Sequence, residues 1–129
     1  NRDHYDYLLL RAYNYWDFPK GVVEADESPL QAAVREVEEE TTLTGLRFRW
    51  GDVYRETYPY NQGRKVARYY IAETATTEVR LPTNPELGRP EHSEFRWVDH
   101  AEAWTLLTPR VRAILEWTDD IMARLARRR

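Results

Sequence analysis

The chain has 129 residues, of which 42% are hydrophobic and 32% charged, with a formal net charge of −3. That length allows one domain with a real core, and the balance is that of an ordinary globular protein rather than a disordered or fibrous one. Cysteine is absent, which excludes disulfides, thiolate metal sites and cysteine nucleophiles, and the acidic balance argues against a general nucleic-acid binder.

No window approaches the roughly 18 consecutive apolar residues of a membrane span. The start, Asn1-Arg2-Asp3-His4, lacks the apolar run of a signal peptide. The expectation is therefore a cytoplasmic protein, and the lack of cysteine fits a reducing compartment. No repeat, low-complexity tract or linker divides the sequence, so a single domain over residues 1–129 is expected. Nothing in it chooses between a monomer and a dimer.

Residues 5–12 read as a strand with Leu8-Leu9-Leu10 at its buried centre. Residues 14–26 hold Pro, Gly, Asn and Asp and predict a long loop or tight hairpin. Ser28 then opens a helix: it is a good N-cap, Pro29 suits the first helical position, and Gln31 completes a capping box. Leu30, Ala33, Val34 and Val37 form one apolar stripe, and Glu36, Glu39 and Glu40 occupy a neighbouring arc. Residues 46–56 and 65–74 predict paired strands around the turn region Pro59-Tyr60-Asn61-Gln62-Gly63. Residues 79–81 and 94–98 add short strands. Asp99 caps a short helix over residues 100–107, and Thr108-Pro109 starts a final helix with the stripe Val111, Ile114, Leu115, Ile121, Met122 and Leu125. Its end, with four arginines in residues 124–129, reads as a solvated terminus that suits the helix dipole. Helices and strands without regular βαβα alternation predict an α+β fold, an α/β/α sandwich with a central mixed sheet.

Like charges on one helical turn repel by a few tenths of a kcal/mol per pair. A Glu-rich face is commonly just solvated surface, but Mg2+ gives a reason to keep carboxylates together, because a hard cation wants their oxygens. Glu36 and Glu40, one turn apart, suit one ion, and Glu39 a second. Bound Mg2+ would bridge phosphate oxygens and activate water.

The acids are not alone. Gly21, Glu27, Arg35, Glu36, Glu39 and Glu40, with aliphatic Val37 and Leu43, resemble the Nudix box G-x5-E-x7-R-E-U-x-E-E-x-G-U, where U is aliphatic. Six of its seven fixed positions match; Thr42 stands at the seventh, where glycine would supply a left-handed helix stop. The expectation is that the helix closes differently, with the turn delayed to Gly45.

The resemblance implies a Nudix-type sandwich and a Mg2+-dependent pyrophosphohydrolase, with Mn2+ as a substitute. It implies Glu36, Glu39 and Glu40 as metal ligands with the carbonyl of Lys20, and Glu27 as support for Arg35 or for a second metal through water. Arg35 would orient the carboxylates through charge-assisted hydrogen bonds. Glu91, in Pro90-Glu91-His92-Ser93-Glu94-Phe95-Arg96-Trp97, resembles a segment found before the last strand of several subfamilies, where a carboxylate acts as general base or metal ligand. His92 reads as a structural or surface histidine rather than a catalyst. The family usually carries one more strand ahead of residues 5–12, of which this sequence holds no full copy; further residues ahead of Asn1, or a shortened edge, are both open.

The run Trp16-Asp17-Phe18-Pro19-Lys20-Gly21 resembles the W-x-x-P-K-G of asymmetrically cleaving dinucleoside tetraphosphate hydrolases, as does Arg68-Tyr69-Tyr70-Ile71-Ala72-Glu73. The implied reaction releases a nucleoside triphosphate and a monophosphate. Lys20 and Lys65 or Arg64 are candidate phosphate contacts, and Tyr58, Tyr60 and Tyr70 candidate stacking platforms. Other substrates of the same chemistry are nucleoside triphosphates, ADP-ribose-like sugar diphosphates and RNA 5′ ends. A nucleotide-sensing module of the same fold would be marked by lost box carboxylates. A structural protein with an accidental acidic helix would show no effect of metal on stability.

Overall fold

The computed structural model describes residues 5–20, 26–57 and 67–126. β1 (Tyr7–Ala12) is the hub. It pairs antiparallel with β2 (Tyr15–Asp17) through a tight turn, and with β7 (Glu94–Val98) from Tyr7 opposite Val98 to Arg11 opposite Glu94. The turn puts Tyr13 at φ 57, an uncommon backbone for a non-glycine residue. β3 (Tyr54–Glu56) and β4 (Arg68–Tyr70) form a second antiparallel ribbon, and β5 (Thr83–Asn84) and β6 (Arg89–Pro90) a short hairpin. The one parallel pairing among the described residues is an isolated bridge between Trp16 and Leu107.

Three helices complete the chain: α1 (Pro29–Thr41), α2 (His100–Leu106) and α3 (Pro109–Ala126). The alternation of a strand explains the layers. Leu9 points to one side of β1 and is buried with Ala103, Leu107, Val111 and Leu115 of the α2–α3 layer. Leu8 and Leu10 point to the other side and pack with Leu43, Val79 and the α1 residue Val37. One strand thus fastens both helical layers of an α/β/α sandwich, at roughly 1.5–3 kcal/mol for each buried leucine. None of the described helices is long and apolar enough to cross a membrane.

The caps of α1 and α2 follow their sequence signals. The Ser28 hydroxyl accepts from the Gln31 amide while the Gln31 side chain accepts from the Ser28 amide, and Asp99 accepts from the Glu102 amide.

Four local expectations need correction. Residues 79–81 form no strand; the Arg80 amide donates to the Thr41 carbonyl, and the neighbouring hairpin is β5–β6 instead. The 46–56 strand is interrupted by a turn from Phe48 to Gly51 (φ 84), so pairing is confined to β3–β4 and an Arg47–Glu73 bridge. In α1 Ala32 is buried and Val34 is exposed, so the core-facing side is rotated toward the carboxylates. Thr42 itself adopts the left-handed conformation (φ 65), and its amide donates to the Glu38 carbonyl. The helix stops where the glycine would have stopped it, without waiting for Gly45.

Candidate active site

The rotation of α1 decides the character of its acids. Glu40 is at the end of the helix with its side chain only 7% exposed, and Glu36, one turn earlier, is also mostly covered. Glu39 points outward, 58% exposed. Arg35 organises the group: its guanidinium grips both oxygens of Glu27 at 2.7 and 3.1 Å, and donates to Glu36 at 2.7 Å and Glu39 at 3.0 Å. The planar fork of arginine suits this, since it can serve several carboxylates at fixed angles.

Facing α1 across a cleft of about 550 Å³ is the segment after β6, which brings Glu91 and His92. His92 Nδ1 lies 4.0 Å from Glu40 Oε2 and 3.9 Å from Glu91 Oε2. One ligand atom from each of Glu40, Glu91 and His92 falls within 4.8 Å of the other two. Burial pushes the Glu40 carboxyl up to about 9, reinforced by its contact with Glu91 and the charge of Glu36, and only partly opposed by Lys20. Glu36 is raised by burial too, against the pull of Arg35. Burial holds the His92 imidazole below its usual value despite Glu91 beside it.

Glu40 Oε1 is buried and has no hydrogen-bond partner among the described residues. An orphaned buried oxygen costs on the order of 1–3 kcal/mol, more if charged. Carboxylates crowded around it, with their charge disfavoured, form a donor set that a divalent cation fits: the ion supplies the missing partner and neutralises the cluster.

Lys20 follows β2, and its ammonium lies 2.8 Å from Asp17, whose carboxylate also accepts from the Tyr69 hydroxyl at 2.9 and 3.1 Å. Tyr70 is on β4, paired with Tyr54 and lining an apolar cavity near Trp50 and Trp97 rather than the acidic cleft. Gly21, Tyr58, Tyr60, Arg64, Lys65 and the 59–63 turn lie outside the described residues, as does the arginine-rich end beyond Ala126.

A family profile described as NUDIX domain matches residues 1–120. The chain belongs to the Nudix family. Among relatives of this Nudix protein, the asymmetrical bis(5′-nucleosyl)-tetraphosphatase of Sus scrofa is 34% identical over 106 residues, covering 78% of this chain and 69% of that protein. An RNA pyrophosphohydrolase of Halorhodospira halophila is 30% identical over 97 residues, covering 66% of this chain and 53% of that one. The fold is shared with a C. elegans Ap4A hydrolase crystallised as a binary complex, with a TM-score of 0.74, 23% identity, and coverage of 92% of this chain and 87% of that one. As a Nudix hydrolase the protein acts on phosphoanhydrides of nucleoside polyphosphates.

Two positions in the site escaped the sequence reading. Asp17 holds both Lys20 and Tyr69, and its only signal was its place inside the Trp16–Gly21 run. His92 read as a structural or surface histidine; its closeness to Glu40 arises only when the segment after β6 folds against α1.

Proposed function

We propose that this Nudix hydrolase uses Mg2+, or Mn2+ in its place, to split a dinucleoside tetraphosphate into a nucleoside triphosphate and a nucleoside monophosphate. The observation that carries the metal-dependent reading is the buried, partnerless Glu40 oxygen in a cleft of carboxylates. The substrate follows the pig enzyme, whose similarity extends across 78% of this chain.

Glu36, Glu39 and Glu40 would hold the cation with the Lys20 carbonyl, and Glu27 would act through water or through Arg35. Bound Mg2+ supplies charge neutralisation on the phosphates and a lowered pKa for the attacking water. Arg35 fixes the carboxylate rotamers before substrate arrives. Glu91, half exposed at the mouth of the cleft, takes the proton as the water oxygen bonds to phosphorus and the anhydride oxygen leaves with its electron pair. Lys20 and Lys65 neutralise further phosphates, and Tyr58 and Tyr60 are the platforms for the two bases. The single domain works in the cytoplasm, with a nucleotide as its partner.

Product analysis in 18O-labelled water tests this, on a panel of diadenosine tetraphosphate, nucleoside triphosphates, ADP-ribose and 5′-triphosphate RNA. Diadenosine tetraphosphate is expected to give ATP and AMP fastest, with one labelled oxygen on one product. Faster turnover of RNA ends would replace the substrate and keep the chemistry. No metal-dependent turnover of any of the four would overturn the reading.

A further inference from the structure

The donors contributed by α1 are all carboxylates, yet the segment between β6 and β7 turns an imidazole toward the same oxygens. His92 Nδ1 faces Glu40 and Glu91 at 4.0 and 3.9 Å, with its side chain only 15% exposed. No hydrogen bond from this nitrogen stands among the described contacts; the two carboxylates lie beyond hydrogen-bond reach. Two donors that each sit about 2.1 Å from a small divalent ion are up to about 4.2 Å apart across it, so these separations bracket an ion without moving the backbone. The other oxygen of that carboxylate, Glu40 Oε1, in a side chain 93% covered, has no hydrogen-bond partner among the described residues, a second sign that this carboxylate lacks a partner.

We propose that His92 is itself a ligand of the divalent cation, giving the site one nitrogen donor beside the oxygen of Glu40. This rests on the metal-dependent reading above and adds a consequence for ion choice. Mg2+ prefers oxygen ligands throughout, whereas Mn2+ and its later neighbours accept imidazole readily. A site with a histidine arm therefore ranks Mn2+ above Mg2+ by more than an all-carboxylate site does. Glu91 faces the same space and remains free to take a proton at its exposed side.

Pulsed EPR of the Mn2+-loaded protein reads the nitrogen directly. Wild type is expected to show 14N modulation from a coordinated imidazole, and His92→Gln to lose it while still binding Mn2+ through the carboxylates. Mn2+ affinity, measured by calorimetry, should fall at least about tenfold in His92→Gln, the smallest loss usual for even an outer-shell partner, and Mg2+ affinity by less. The sequence has three histidines, so the double variant His4→Gln/His100→Gln leaves only His92 and should keep the modulation. That variant preserves the test if His92→Gln fails to fold. Mn2+ bound without nitrogen modulation would overturn the proposal and leave the carboxylate site standing. Failure of Mn2+ to bind at all would overturn both.

Discussion

At the scale of single residues, Glu40 and Thr42 are two neighbours under opposite pressures. Glu40 is a carboxyl whose charged form the fold disfavours, with one oxygen lacking a partner. Glutamine keeps its shape and removes the charge. Glu40→Gln is therefore expected to cost turnover about 10²-fold or more through loss of the ligand, with no loss of stability in metal-free protein. Glu36→Gln should cost turnover similarly, and steady-state rates beside thermal melts check both; near-normal rates in the two variants would remove the metal assignment. Thr42 has the reverse problem. A β-branched residue at φ 65 carries a backbone penalty of about 1–2 kcal/mol, offset in part because glycine would be freer in the unfolded chain. Its side chain is exposed, and among the described residues its hydroxyl donates only to the adjacent Thr41 carbonyl. Thr42→Gly should thus raise stability by roughly 0.5–1 kcal/mol in urea denaturation.

At the scale of elements, strand β1 is tied to α3 by a polar clasp as well as by leucines. The Tyr7 hydroxyl donates to Asp119 Oδ1 at 2.7 Å, and His100 Nε2 lies 2.6 Å from Asp119 Oδ2. Because Asp119 retains the imidazole when the tyrosine hydroxyl is removed, Tyr7→Phe is expected to cost about 1.5 kcal/mol, the low end for a hydrogen bond to a charged group. Burial, with the Asp119 hydrogen bond next, raises the Tyr7 pKa above its ordinary value of 10.0. The folded protein then holds that proton where the unfolded chain releases it, so stability falls as pH rises past about 10, by at most ~1.4 kcal/mol per pH unit for this group. Denaturation series at pH 8 to 11 should show the gap between wild type and Tyr7→Phe closing above pH 10. A gap that stayed constant would mean the hydroxyl titrates alike in both states. The clasp itself could not be read from the chain, since Tyr7 is separated from both His100 and Asp119 by most of the sequence. What could be read were features decided locally: the Ser28 capping box, the Asp99 cap, the Leu8-Leu9-Leu10 strand and the start of α3 at Pro109. The α1 stripe failed by about one position because periodicity fixes which residues share a face, while the opposing layer decides how far the cylinder turns. That turn buried Ala32 and drew Glu36 and Glu40 inward.

At the scale of the whole molecule, the cleft joins parts that otherwise belong to different layers. Glu36 and Glu40 come from α1, and Glu91 and His92 from the chain entering β7, while Lys20, on the loop leaving β2, acts on Glu40 through its charge. The box motif made the helical half legible, because its spacing lies within one element. The half beyond β6 was legible only as the segment holding Glu91 and His92, and the approach of His92 to Glu40 depended on tertiary folding. A cation held across this cleft ties α1 to the central sheet, and it can do so only in the native state. Binding must then stabilise the fold by linkage, about 2.7 kcal/mol at a hundredfold excess over Kd. For a domain of this size that corresponds to a rise in Tm on the order of 10 °C. Calorimetric scans across a Mg2+ series should show Tm climbing with the logarithm of the ion concentration and returning to its starting value with EDTA. Glu40→Gln should flatten that climb, whereas Tyr7→Phe should shift the whole series downward without changing its slope, because the clasp lies outside the metal cleft. A Tm insensitive to divalent ions in wild type would mean that the crowded carboxylates are held by Arg35 alone, and the metal-dependent mechanism would fall with it.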